Sequence, residues 1–306
     1  MFIFGLGYTA SRVADALRPH SWEVIATGRD GALSFDDTGN VRLALEGSSH
    51  VLSSVPPGGE GVEPVLETYR DALKGKWLGY LSSTGVYGDT GGAWVDESAP
   101  TGTGRRTARA EADAAWLALG ARVFRLPGIY GPGRSALDRV REGKAHRIDL
   151  PDQVFSRVHV DDIVSGVLAA LGLQNPPPSG EGDLPQDGGG GLRQSGGLPP
   201  AAPPPSGLWP ATSPEGGGFH EAPPGAYNLA DDQPCHQNKV IEEACRLLGL
   251  PPPPLLTLEQ AGLSPMARGF YAENRRVASG KAKRVLGWRP KYATYREGLR
   301  GLVGDL

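Results

Sequence analysis

Apolar residues fall along this chain in short runs separated by stretches where they recur every three to four positions. The runs at 1–4, 23–26, 50–53, 77–82, 121–126 and 227–229 have the length and composition of buried strands. Between them the spacing predicts helices near 9–17, 62–73, 106–119 and 161–171. Strands that alternate with helices of this length predict a doubly wound α/β fold, a parallel sheet with helices on both faces. Towards the C-terminus the pattern gives a helix at 238–248, a break at Pro251 to Pro254, and two last helices at 281–286 and 295–303.

Glycine and proline make up about half of residues 174 to 226, too little apolar matter for a core, so the segment reads as an unstructured surface insertion. It divides the chain into a dinucleotide-binding domain at 1–173, in which 129–155 contributes to the substrate side, and a last strand with a smaller substrate subdomain at 227–306. The 306 residues are 39% hydrophobic, enough to bury a core, and the net charge of -3 argues against nucleic acid as a partner. No apolar run approaches the roughly 18 to 20 residues that cross a bilayer, so no membrane partner is expected. The two cysteines, Cys235 and Cys245, suggest neither a disulfide framework nor a metal site. A cytoplasmic location is the expectation, although a chain that begins inside its first strand leaves organellar import open.

The first strand runs into Gly5-Leu6-Gly7-Tyr8-Thr9-Ala10 and then a helix, which is G-x-G-x-x-G/A in the strand-turn-helix setting of dinucleotide sites. Gly5 serves the turn, Gly7 lets backbone approach a pyrophosphate, and Ala10 allows close helix packing; Tyr8, Thr9 and Ser53 complete the expected contacts. At the tip of the second strand Arg29 precedes Asp30, and a guanidinium suits a 2'-phosphate, so NADP is favoured, with NAD the alternative if Asp30 takes the ribose hydroxyl.

Four further segments carry a family resemblance. They are Leu81-Ser82-Ser83-Thr84-Gly85-Val86-Tyr87-Gly88, Arg125-Leu126-Pro127-Gly128-Ile129-Tyr130-Gly131-Pro132-Gly133, Arg157-Val158-His159-Val160-Asp161-Asp162-Ile163, and Ala282-Lys283-Arg284-Val285-Leu286-Gly287-Trp288-Arg289-Pro290. Together they resemble the extended short-chain dehydrogenases/reductases, the NAD-dependent epimerase/dehydratase family. The resemblance covers the chain outside the insertion. It implies that Ser83, with Thr84, binds the reacting substrate oxygen, that Pro127 and Gly128 close over the nicotinamide, and that a homodimer forms through helices of the sheet layer.

One departure bears on chemistry: the family's Tyr-x-x-x-Lys is absent, and its two positions fall on Arg105 and Arg109. Arginine stays protonated and cannot act as the base, but a pair can hold a phosphate or carboxylate. Two functions stay open, an enzyme acting on a small anionic or sugar-derived substrate and a catalytically silent NADP(H) sensor or interaction protein. Tyr87, Tyr130, the His159-Asp161-Asp162 trio, Asp96 and Glu97 read as structural or solvated, and the Arg275-Arg276 pair as either a phosphate contact or surface charge.

Overall fold

The computed structural model describes residues 1–58, 62–102, 107–173 and 220–304. The chain runs β1 (Phe2–Phe4), α1 (Tyr8–Leu17), β2 (Ile25–Ala26), α2 (Thr38–Glu46), β3 (His50–Ser53), α3 (Pro64–Tyr69), β4 (Trp77–Ser83), β5 (Trp94–Val95) and α4 (Thr107–Ala118). Next come β6 (Arg122–Leu126), β7 (Gly128–Tyr130), α5 (Ala136–Arg141), β8 (Arg147–Ile148), β9 (Arg157–His159) and α6 (Val160–Ala170). From residue 220 onward stand β10 (Gly225–Asn228), α7 (Gln237–Leu248), β11 (Leu255–Leu256), α8 (Pro265–Phe270), β12 (Arg276–Val277), α9 (Gly280–Val285) and α10 (Tyr295–Gly304).

Six strands form one sheet in the order β10-β6-β4-β3-β1-β2, every pair parallel. Its strands are largely apolar because both faces are covered, with Arg125 of β6 a buried charge among them. Ile3, Leu52, Leu81 and Phe124 point to the face under α1 and α6. Phe2, Phe4, Val51, Tyr80 and Val123 point to the face under α2, α3 and α4, where the Tyr80 and Trp116 rings stack at 5.4 Å. The chain turns one way from β1 to β2 and the other way to β3, so the order reverses at the carboxyl ends of β1 and β3. In open α/β sheets that switch point is the crevice where ligands bind.

A third core cluster joins Tyr130 and Leu137 to Val240 and Ile241 of α7 and Leu299 of α10, so 129–155 does pack with the C-terminal helices. Two of the motif segments clamp each other beside the first core cluster. His159 caps α6, its Nδ1 accepting from the Asp161 N–H at 3.2 Å. The carboxylate of Asp162 accepts from the backbone N–H of Lys291 (2.5 Å) and Tyr292 (3.2 Å), while the Trp288 indole donates to the Asp162 carbonyl at 3.0 Å. The trio is therefore structural, as its sequence setting indicated.

The structure corrects the sequence reading at several points. Residues 220–226 are part of the fold rather than the end of an insertion: His50 and Glu221 pair at 2.8 Å, Arg122 Nε donates to the Ala222 carbonyl at 2.7 Å, and β10 begins at Gly225. The rest of that segment, 174–219, lies outside the described residues. The helices α2, α5 and α8 and the two-residue pairings β5–β12 and β8–β11 have no counterpart in the sequence pattern. Among the described residues no helix is long and apolar enough to cross a membrane, and no group of three or more His, Cys, Asp or Glu could hold a metal ion.

Candidate functional site

The glycine turn is held from both sides. Gly5 adopts φ +81°, a conformation that L side chains rarely take, and donates its N–H to Thr27 Oγ1 at 3.2 Å. The Leu6 N–H donates to the Thr27 carbonyl at 2.9 Å, and the Ser54 hydroxyl donates to the Gly5 carbonyl. Gly7 then caps α1 with extended backbone and no side-chain cap, and a Cβ built on it would meet nothing within 4 Å. The N-terminus of α1 thus meets open space beside Gly7, where an anion can come close, favoured by the helix dipole.

The other residues expected around this turn divide. Ala10 is buried in the core, where its small side chain lets α1 lie on the sheet. Thr9 is half-buried at the turn, and Arg29 and Asp30 are both exposed at the tip of β2. Tyr8 ties the turn to the loop after β7: its hydroxyl donates to the Pro132 carbonyl at 3.1 Å, and the Arg12 guanidinium lies 4.2 Å from its ring centre. Ser53 is fully buried and its Oγ accepts from the Val55 N–H, so it is Ser54 rather than Ser53 that reaches the glycine turn.

Beneath the end of β4 lies a buried polar network. The Asp113 carboxylate of α4 accepts from the Ser82 hydroxyl (2.7 Å) and from Arg125 Nε (3.1 Å) and Nη2 (2.7 Å) of β6. Arg125 Nη1 donates to the Tyr87 hydroxyl at 3.0 Å, and that hydroxyl donates to Asn228 Oδ1 at 2.8 Å. Asp113 is 1% and Arg125 4% exposed. The network fixes α4, β4, β6 and β10 to one another directly below Ser83 and Pro127.

Above it opens a cavity of about 370 Å³. Ser83, Thr84, Pro127 and Gly128 form the wall nearest the sheet. Ser83 Oγ accepts from the Gly85 N–H at 3.1 Å, which leaves its proton free for another partner. Phe155, Arg157, Tyr271, Glu273 and Arg275 also line the cavity, together with Arg139 and His146. Arg157, 7% exposed, spends its hydrogen bonds on neutral acceptors, the carbonyls of Phe155 (2.9 Å) and Cys235 (3.3 Å) and Gln237 Oε1 (2.8 Å). Arg275 donates to the Gly88 carbonyl at 2.7 Å and pairs with Glu273 at 2.8 Å. Burial and then Arg139 push the His146 imidazole below its ordinary pKa, so it is neutral at pH 7. Three guanidiniums against one carboxylate leave the cavity cationic.

Several described residues weighed in the sequence do not line this cavity. Arg105 lies outside the described residues. Arg109 does not line it; it sits, half-buried, close enough to Tyr80 to oppose the burial that pushes that phenol up to about 12. Of the arginine pair, Arg275 enters the wall while Arg276 Nη1 donates to the Gly92 carbonyl. Tyr87 belongs to the buried network, and Tyr130 is buried in the third core cluster, its hydroxyl where a Cβ on Gly298 would stand. Glu97 accepts from the Asn228 N–H at 2.6 Å, and Asp96 accepts from Ser98. Phe155, Gln237, Tyr271 and Glu273 were not singled out from the sequence; Arg157 stood only in a family-like segment with no site role, and Arg275 alone, in the pair weighed as a phosphate contact, pointed towards this cavity.

No family model matches the chain. An 80-residue stretch is 31% identical to a 3-diazoavenalumate denitrifying reductase from a Streptomyces species and spans a quarter of that curated relative's length. A dTDP-glucose 4,6-dehydratase from Bacillus anthracis, solved with NAD, is 16% identical and superimposes with a TM-score of 0.66 over 99% of this chain and 96% of its own. A human epimerase family protein solved with NADPH is 12% identical, with a TM-score of 0.68 over the full length of both chains. A conserved protein of unknown function from Silicibacter pomeroyi is 35% identical over 99% of this chain and 98% of that one, with a TM-score of 0.74. The chain belongs to the family of this Silicibacter protein, and its fold is that of the extended short-chain dehydrogenases/reductases, the NAD-dependent epimerases and dehydratases.

Proposed function

We propose that the protein is an NADP-linked oxidoreductase or epimerase/dehydratase-like enzyme acting on a small anionic or sugar-derived substrate. The observation that carries this reading is the cavity itself. It joins the Ser83-Thr84 and Pro127-Gly128 ends of the sheet strands to a cationic wall of Arg157, Arg275 and Arg139. The residues around the glycine turn fit a dinucleotide: Gly7 leaves the approach open, α1 offers an uncapped N-terminus, and Arg29 stands exposed where a 2'-phosphate would gain a charge-assisted pair. When bound, such a cofactor supplies or accepts a hydride.

The chain's own residues have three tasks in this scheme. Ser83, whose proton is not engaged by Gly85, donates to the substrate oxygen, and Thr84 beside it narrows that end of the cavity. The arginines that line the cavity hold the anionic group, and the exposed Arg139 has guanidinium donors to spare beyond its bond to the Lys144 carbonyl. Val154, Ile241 and Val277 add apolar lining to the same cavity.

One observation favours a second reading, a catalytically silent NADP(H)-binding sensor. The helix position that carries the family's lysine holds Arg109, which lies beside Tyr80 rather than in the cavity. The two readings separate in an assay of carbonyl substrates with and without a carboxylate or phosphate, followed by NADPH absorbance. The enzyme reading predicts turnover confined to anionic substrates, lowered about 10- to 1,000-fold by Ser83→Ala in kcat and raised in KM by Arg139→Gln. NADPH binding with no turnover of any of them supports the sensor.

A further inference from the structure

We infer that the Tyr271 phenol, supplied by the segment between α8 and β12, donates the proton to the substrate oxygen held at Ser83. The inference rests on the enzyme reading above and fills the gap that reading leaves, since a carbonyl that accepts a hydride also needs a proton. The groups lining the cavity narrow the choice. Arginine has no transferable proton at neutral pH, Glu273 is committed to its ion pair with Arg275, and His146 is held neutral, a poor acid. Tyr271 remains, facing the same cavity as Ser83. Its ring packs edge-on against Phe155 at 5.5 Å and 89°, a contact that restricts the ring's rotation.

The surroundings also suit a phenol that gives up a proton and regains it. Burial raises the Tyr271 pKa and keeps the phenol protonated between turnovers, while the nearby charges of Arg139 and Arg157 act the other way and stabilise the phenolate left behind. The ammonium that does this in the usual family site is replaced by two guanidiniums from a different part of the chain. In the reducing direction the carbonyl carbon gains a hydride from the dihydronicotinamide, which leaves oxidised. The C=O π pair becomes a lone pair on oxygen, that oxygen takes the Tyr271 proton, and water at the cavity mouth reprotonates the phenolate.

The test is Tyr271→Phe, which keeps the ring against Phe155 and removes only the hydroxyl. We expect kcat for NADPH-dependent reduction to fall about 10²- to 10⁴-fold, with KM, NADPH affinity by fluorescence and Tm nearly unchanged. In the protein without cofactor, ultraviolet titration should show that the variant lacks one phenolate step above the ordinary tyrosine range. Wild-type turnover that Tyr271→Phe leaves within threefold overturns the inference alone, as does a missing phenolate step below about pH 8, where the phenol would be no acid store. No NADPH-dependent turnover of any substrate by wild type overturns the enzyme reading and this inference together.

Discussion

Replacing Asp113 with alanine should destabilise the protein more than any single change on its surface. The carboxylate receives three hydrogen bonds, from Ser82 and twice from Arg125, and both charges are almost wholly removed from water. With Asp113 gone, Arg125 keeps its bond to Tyr87 but strands two guanidinium donors in the core. Breaking a buried pair in this way costs about 3 to 5 kcal/mol, because the remaining charge is uncompensated. For a chain of this size that is a fall in Tm of about 6 to 20 °C. Denaturant unfolding of wild type, Asp113→Ala and the double variant Asp113→Leu/Arg125→Met gives the comparison. The double variant should recover most of the loss, since an apolar pair of similar volume pays no desolvation. A loss below about 1 kcal/mol in Asp113→Ala, typical of a solvent-screened surface pair, would refute the burial argument.

Three further outcomes follow from the site. Gly7→Val places its side chain in open space, so stability should change by less than about 1 kcal/mol while dinucleotide affinity falls at least tenfold; equal losses in both would mean that the turn is structural only. Arg29→Ala should cost NADPH about fivefold in affinity, near 1 kcal/mol for an exposed charge pair, and leave NADH unchanged in a fluorescence titration; a cofactor preference untouched by the substitution would remove Arg29 from the account. Asp231 is raised to about 7 by burial, and its Oδ2 has no hydrogen-bond partner among the described residues. The folded state therefore holds a proton that the unfolded state releases, so this group's contribution to stability is lost as pH rises from about 4 to 7, by up to about 1.4 kcal/mol per pH unit. Asp231→Asn should flatten that slope in pH-dependent unfolding, and an unchanged slope would count against it.

The sheet was legible because burial on both faces writes a strand as an unbroken apolar run, as in Phe2-Ile3-Phe4 and Tyr80-Leu81. The helix α2 was not, because it buries only Val41 and Leu45 and opens after Asp36-Asp37 with a glycine in its first turn, which reads as a loop. The strands of two residues, such as Trp94–Val95, are too short to carry any period. The glycine turn could be read because its chemistry is local, whereas the cavity wall gathers Phe155, Gln237, Tyr271 and Arg275 from segments that only the tertiary fold brings together. The Asp113–Arg125 pair did leave a trace: an arginine inside the apolar run Val123-Phe124-Arg125-Leu126 demands a buried partner, and Asp113 in an alanine-rich helix is that partner.

The measurement that bears most directly on the central claim is a calorimetric titration of NADPH into wild type and Gly7→Val. A single saturable site in wild type that is lost in the folded variant is the result the glycine cradle and the cavity predict. Wild type that binds neither NADPH nor NADH would contradict the account at its foundation, since every step proposed for Ser83, Arg139 and Tyr271 depends on a dinucleotide at that turn.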